Sequence, residues 1–467
     1  MWNWTVPFRI PNSAFRILMI GDRQLIGALL KMMTRVRADG VSVCAHAGHR
    51  RVFRFAYEAI HQDLVQESVT VTVKVIRGGR VGVASTDTFD AKSLARGVNA
   101  AMAIARHAPV RPEPPPLPRQ VRIAATRDHV AATAAWPAPM AVAALQRLFH
   151  LCKGVGASLA GSLVNGEDEF AVVNSAGVAD YAASTIAGAK LVTMYNGLSG
   201  YASGVHRDVR RLDLDALLKR SLSQSLHHGE PVTVPLDAYE VILEPEAVAE
   251  LVGWLGSIAF GAKSVAERTS FLAGRMGERV MDSQVTIYDD GNEPASLRLP
   301  FDFEGTRKQK VTLIDRGVAA GIVYDMEYGT RFGHVSTGHG MPPDEVDGPL
   351  PLHLAVAPGR SDRATMIRAC KRGLLIPRFH YVNGLLKPRE ALMTGLTREG
   401  TFLIERGTLT RPVKTLRFTE SILKAFSRVR GISKERRLIA DPSQELGCAL
   451  MPTLHLAAFT FTGRSEH

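Results

Sequence analysis

Two carboxylates four residues apart, Glu246 and Glu250, lie in the stretch YEVILEPEAVAELVGWL (239–255). Residues at i and i+4 share one face of a helix, and a paired acid and base on one face could move a proton or hold a cation. The local grammar supports a helix start here. A β-like run, Tyr239 to Leu243, stops at Glu244-Pro245. Proline suits the first helical turn, where no N–H donor is needed, and Glu246 falls where the helix dipole favours negative charge. Val248, Leu251, Val252 and Leu255 recur at helical spacing and predict the buried stripe. The plain expectation is a solvated acidic first turn; the sharper alternative is a working carboxylate pair.

Other chemistry-bearing residues are sparser. His334 and His339 are five apart in the glycine-rich FGHVSTGHG, with His353 and His380 further on. A metal site needs three converging donors, and this spacing supplies two. Asp302 and Glu304, two apart in FDFEG, would share a face on a strand; support of a turn by hydrogen bonds is the favoured reading over an acid/base pair. The four cysteines, Cys44, Cys152, Cys370 and Cys448, are far apart and form no CxxC pair. That argues against a zinc ribbon or a secreted disulfide framework and predicts free thiols in a reducing cytoplasm. No GxxxxGK[ST] or GxSxG motif occurs, and Gly154-Val155-Gly156 lacks the rest of a dinucleotide fingerprint.

The elements that must position these residues follow from length and patterning. A chain of 467 residues suggests two or three domains, and 46% hydrophobic with 22% charged residues is a globular balance that burial alone can stabilise. The formal net charge of +12 is dispersed. Its densest runs, Arg307-Lys308-Gln309-Lys310 and Lys434-Glu435-Arg436-Arg437, interleave no aromatics, so they read as solvated surface and nucleic acid is not expected as a partner. No run approaches eighteen apolar residues, so no membrane span is expected. Residues 1–21 read as a disordered leader, with Met19 as an alternative start.

Residues 22–38 predict an amphipathic helix through Leu25, Leu29, Met32, Met33 and Val36, followed by strands at Val41–Ala45 and Arg51–Tyr57. In SVTVTVKVI, Val69, Val71, Val73 and Val75 alternate with polar residues, and Arg77-Gly78-Gly79-Arg80 turns the chain into a second strand. Asp90 is the expected N-cap of a helix running to Arg106. The proline-rich 107–119 is a linker. Helices near 139–153 and 213–226, strands at 157–164 and 169–174, and a turn at Asn174-Ser175-Ala176-Gly177 follow. Beyond 235 short strands predominate, including hairpins turning at Asp315-Arg316-Gly317, with Val311–Ile314 and Gly321–Tyr324 as its arms, and at Glu405-Arg406-Gly407. The expectation is an α+β protein: an N-terminal α/β half with antiparallel sheet (domains at 22–110 and 120–230) and a C-terminal half (235–467) with a barrel-like, mostly antiparallel sheet plus helices.

Several longer stretches then resemble one family, in order and across about 22–440. They are Asn174-Ser175-x-Gly177, SFLAGRMGERVMDSQVTIYDD (270–290), FDFEGTRKQKVTLIDRGVAAGIVYD (301–325) with Ser336-Thr337-Gly338-His339, GLLIPRFHYVNG (373–384), and TREGTFLIERGTLTRPVKTLRFTESI (397–422). Their succession resembles the TldD/PmbA family, called modulators of DNA gyrase and understood as zinc metallopeptidase subunits. The resemblance implies two halves, dimers enclosing a cavity for extended or unfolded peptide, and in hydrolytic members a helix bearing His-Glu-x-x-x-His with a cysteine near the C-terminus as third ligand. It makes Ser336, Thr337, Gly338 and His339 candidates for shaping the peptide cavity.

At the zinc helix the sequence departs from the family pattern. Pro245 stands in the first histidine slot and Glu250 in the second; only Glu246 matches, in the general-base slot. Cys448 lies in the region of the cysteine ligand. The chain thus resembles the PmbA (TldE) branch without the zinc motif. That implies a subunit not catalytic alone, with Glu246 structural, no metal or cofactor in this chain, and zinc in a TldD-like partner; a homodimer is the other assembly. Two alternatives stay open: an autonomous metallopeptidase using Glu250, Cys448 and one of His334, His339 or His380, and a non-enzymatic homodimer binding peptide or nucleic acid.

Overall fold

Alternation in the valine run places Val71, Val73 and Val75 on one fully buried face, and that face seeds the N-terminal half. The structure is a computed structural model that describes residues 19–465 apart from 35, 125, 228 and 442–446. The leader expected over 1–21 lies, for residues 1–18, outside the described residues. Ile20 and Gly21 are anchored, their backbone N–H groups donating to the Glu169 carboxylate at 2.6 and 2.7 Å.

Helix α1 (Asp22–Met33) ends before the expected 38; Val36 and Ala38 reach the same core from a non-helical segment. Strand β1 (Gly40–Ala56) unites the two runs expected there. Strands β2 (Ala59–Arg77) and β3 (Arg80–Thr86) form the predicted hairpin, whose turn residues Gly78 and Gly79 both take positive φ, 57° and 71°, as a two-residue primed turn requires. Helix α2 (Ala91–His107) is capped by Asp90, whose side chain accepts from Lys92 and Ser93 N–H. Then come α3 (Ala131–Ala134), α4 (Ala138–Gly154), β4 (Ser158–Asn174), β5 (Ala179–Tyr195), β6 (Leu198–His206) and α5 (Leu214–Ser225). At the β4–β5 turn, Asn174 Oδ1 accepts from Ala176 and Val178 N–H.

These strands make one antiparallel sheet in the order β3-β2-β1-β4-β5-β6. The boundary expected between 22–110 and 120–230 runs through it, because β1 pairs with β4 from Ser42–Asn174 to Phe55–Gly161. The proline-rich segment is a strap rather than a spacer: Pro118 O accepts from Asn174 Nδ2 and Gln120 Oε1 from Ala179 N.

The C-terminal half contains β7 (Ala238–Leu243), α6 (Pro245–Ala259), α7 (Ala262–Ala266), β8 (Ile287–Asp289), β9 (Val311–Asp315), β10 (Val318–Ala319), α8 (Met326–Phe332), β11 (His353–Val356), α9 (Arg363–Ala369) and β12 (Arg372–Ile376). It continues with β13 (Arg378–Lys387), β14 (Leu392–Arg398), β15 (Phe402–Glu405), β16 (Thr408–Pro412), β17 (Leu416–Ser421), α10 (Ile422–Phe426), β18 (Val429–Ile439) and β19 (Cys448–Arg464). The return arm after Asp315 is Val318–Ala319 rather than Gly321–Tyr324, because the two-residue turn at Arg316-Gly317 restarts pairing at once.

Pairing is mostly antiparallel, with parallel contacts at β11–β19 and β7–β12. The sheet branches at β19, which pairs with β11, β18, β7 and β17. One face of β7 (Tyr239, Val241, Leu243) packs with α6 in the main core; Ile242 faces the opposite way, toward α9. The halves meet through an apolar seam where Phe170 stacks on Phe301 at 5.1 Å and meets Phe303 edge-on. Buried Asp128 ties them further, binding Arg207 from the N-terminal half and Arg298 from the C-terminal half.

Candidate functional site

Helix α6 begins as the sequence predicts. Glu244 is its N-cap and Pro245 its first residue, and Val248, Leu251, Val252 and Leu255 are fully buried. The first turn is nevertheless not solvated. Glu246 is 9% exposed and receives two guanidinium groups: Arg220 from α5 at 2.9 Å, and Arg437 from β18 at 3.0 Å to Oε1 and 2.7 Å to Oε2. Arg437 also reaches Glu244 at 3.4 Å, and Arg363 donates to the other Glu244 oxygen at 2.6 Å. This corrects the expectation of a water-facing acidic turn. Carboxylates this buried need paired charge; Arg220 and Arg437 supply it to Glu246, and Arg363 and Arg437 to Glu244. Arg437, read from sequence as solvated surface charge, is one of them. Burial pushes Glu246 up to about 7, with Arg220 pulling it down and Glu244 pushing it up.

The site faces a cleft of about 550 Å³ between the halves, lined by Glu246, Glu250, Trp254, Tyr201, Arg378 and Cys448 among others. Tyr201 belongs to β6, the edge strand of the N-terminal sheet, and Arg378 lies over its ring at 4.2 Å. The tertiary structure therefore gathers Glu246, Glu250 and Cys448, which are far apart or merely adjacent in sequence, around one space.

These residues do not fit a zinc ion. Pro245 has no donor atom, and both Glu246 oxygens are engaged by guanidinium groups whose charge opposes a cation. Cys448 is buried, and its thiol contacts Leu297 O at 3.9 Å. Among the described residues, Glu250, Cys448 and a histidine do not bring their donor atoms together.

The remaining sequence candidates lie elsewhere. Ser336, Thr337, Gly338 and His339 do not line this cleft; their polar groups are spent on a buried turn. Ser336 Oγ donates to Tyr324 O and accepts from Gly338 N–H. The His339 ring nitrogens face Thr337 and, at 2.9 Å, the fully buried Asp289. His334 is exposed against the Tyr324 ring, so it does not join His339. Asp302 accepts from the N–H groups of Glu304, Thr306 and Gly340, which is the turn support expected. Glu304 instead accepts from Met326 N–H.

A two-half α+β chain with a cleft between its halves at the start of α6 has the architecture of a metallopeptidase-like protein. The chain belongs to the PmbA/TldD family: the PmbA/TldA metallopeptidase C-terminal domain matches residues 237–463 and domain 1 of the same family matches 54–105, together more than half the chain. It is 26% identical over 258 residues to a metalloprotease TldD homolog of Haemophilus influenzae, covering 53% of this chain and 49% of that protein. It is 28% identical over 169 residues to an uncharacterised protein of Methanocaldococcus jannaschii, covering 36% of this chain and 40% of that one. The match thus spans less than half the length of each relative. In fold it is similar to the crystal structure of TldE from Thermococcus kodakarensis, with a TM-score of 0.84 and 19% identity over 93% of this chain and 100% of that one. No helix among the described residues is long and apolar enough to cross a membrane.

Proposed function

We propose that this chain is a non-catalytic, TldE-like subunit of a TldD/TldE-type metallopeptidase, completing a cavity in which a zinc-bearing partner hydrolyses unfolded or small peptides. The observation that carries this reading is the occupied first turn of α6: the one residue matching the catalytic pattern, Glu246, is clamped by Arg220 and Arg437. A general base must be free to take a proton from water, and both oxygens of this carboxylate are held by guanidinium groups. The cleft beside it suits an extended chain. It is flanked by edge strand β6, and edge pairing holds peptide backbones with little regard for sequence.

The test is hydrolysis of an unfolded peptide by the purified chain alone and mixed with a zinc-bearing TldD-type subunit. The expected result is no hydrolysis alone and full activity only in the mixture, unchanged by Glu246→Gln. Zinc-dependent hydrolysis by the chain alone, abolished by Glu246→Gln, overturns the proposal.

A further inference from the structure

On the face of β7 opposite α6, three side chains of different chemistry converge. Glu240 (β7), Cys370 (the residue after α9) and His455 (β19) bring one carboxylate oxygen, the thiol sulfur and one imidazole nitrogen within 4.8 Å of one another. They are 130 and 85 residues apart in sequence, and the sheet register assembles them. His455 pairs with Ile242, and Glu240, two residues before Ile242, shares its face. Gly373 pairs with Glu240 on the other side. A Cβ on Gly373 would stand 2.6 Å from the Cys370 sulfur, so the absent side chain is what admits the thiol to this position.

We propose that Glu240, Cys370 and His455 bind a divalent cation of the zinc class, a site separate from the peptide cleft. Thiolate, imidazole and carboxylate are the donor types zinc takes, and three protein ligands leave a fourth position for water. Tetrahedral bonds of about 2.0–2.3 Å place donors about 3.3–3.8 Å apart, inside the 4.8 Å that bounds this group and a short opening for the His455–Glu240 contact at 2.6 Å. Charge balances: one thiolate and one carboxylate neutralise a divalent ion, the thiol proton leaving to solvent.

Without the ion, Glu240 is held by His455 and by Arg430, at 2.7 Å. Arg430 is the exposed member, its side chain 52% accessible, so it can swing into water at small cost and uncover the carboxylate. The bound ion would join the end of α9 to strands β7 and β19, behind the start of α6. This departs from the metal-free chain expected from the sequence and does not depend on the function proposed for the cleft.

The experiment uses the full chain, prepared without a metal-binding tag and stripped with chelator, titrated with Co²⁺ as the probe. The expected result is one Co²⁺ per chain with a thiolate-to-cobalt charge-transfer band, bleached by Zn²⁺. Cys370→Ser loses the band and Glu240→Gln weakens binding about tenfold or more, whereas Cys448→Ser, in the cleft, leaves both unchanged. Absence of the band in the unmodified chain overturns the proposal whether or not the Cys370 variant folds, and so does a band that survives Cys370→Ser or vanishes in Cys448→Ser.

Discussion

Replacing Arg437 by methionine tests the reading of Glu246 as a clamped structural carboxylate. The substitution keeps the aliphatic stem and removes the guanidinium that meets both oxygens of Glu246. Removing one partner of a buried ion pair costs about 3–5 kcal/mol when the other charge is stranded. Two features lower that figure here. Arg220 remains at 2.9 Å, and Glu246, already pushed up to about 7 by burial, can take a proton instead of remaining an uncompensated charge.

The sign follows from that upward shift. A carboxylate raised in the folded state contributes stability that is present in acid and lost as pH rises through its folded value. Losing an adjacent cation raises it by about one to three further units. With a two-unit rise, the destabilisation by Arg437→Met is near zero from this source at pH 6 and about 2 kcal/mol at pH 8.5. Urea unfolding at both pH values, followed by tryptophan emission with Trp254 on α6 as an internal reporter, measures it. Adding Glu246→Gln to Arg437→Met should remove the pH dependence. A cost that is equal at pH 6 and pH 8.5, or one that persists in the double variant, refutes the reasoning.

Buried His353 is held down to about 4, by burial first and by Lys308 next. A depressed histidine stabilises the fold above its ordinary value and loses that contribution as acid protonates the unfolded chain. About 3 kcal/mol should therefore disappear between pH 6.5 and 4, and His353→Asn should flatten that limb of the stability–pH curve. Gly338 has φ 74°, and a Cβ there would stand 2.4 Å from Arg307 O. Gly338→Ala should cost about 3 kcal/mol, lowering the melting temperature measurably while Ser336→Ala costs less. Asp128→Asn strands Arg207 and Arg298 at the junction of the halves; a loss of about 3 kcal/mol and faster proteolysis between the halves are expected.

Much of the local architecture was legible because its causes are local. The Asp90 cap, the Gly78-Gly79 turn, the Asn174 turn and the start of α6 at Pro245 each follow from a few adjacent residues with fixed backbone preferences. The valine alternation announced a buried strand face, and the ordered motifs announced the family. What the sequence by itself determined about the site was its composition: Pro245, Glu246 and Glu250 open α6, with no histidine among its residues.

Only the tertiary structure decided what Glu246 does. Its partners come from α5 and β18, 26 and 191 residues away, and no periodicity links charges across such distances. The same reason explains why one sheet crosses the boundary expected near 110–120: strand pairing between β1 and β4 is a long-range choice that local patterning does not encode. It also explains why Ser336–His339, motif-like in sequence, fold into a buried turn, while Glu240, Cys370 and His455, unremarked in any local stretch, meet where the end of α9 packs on β7 and β19.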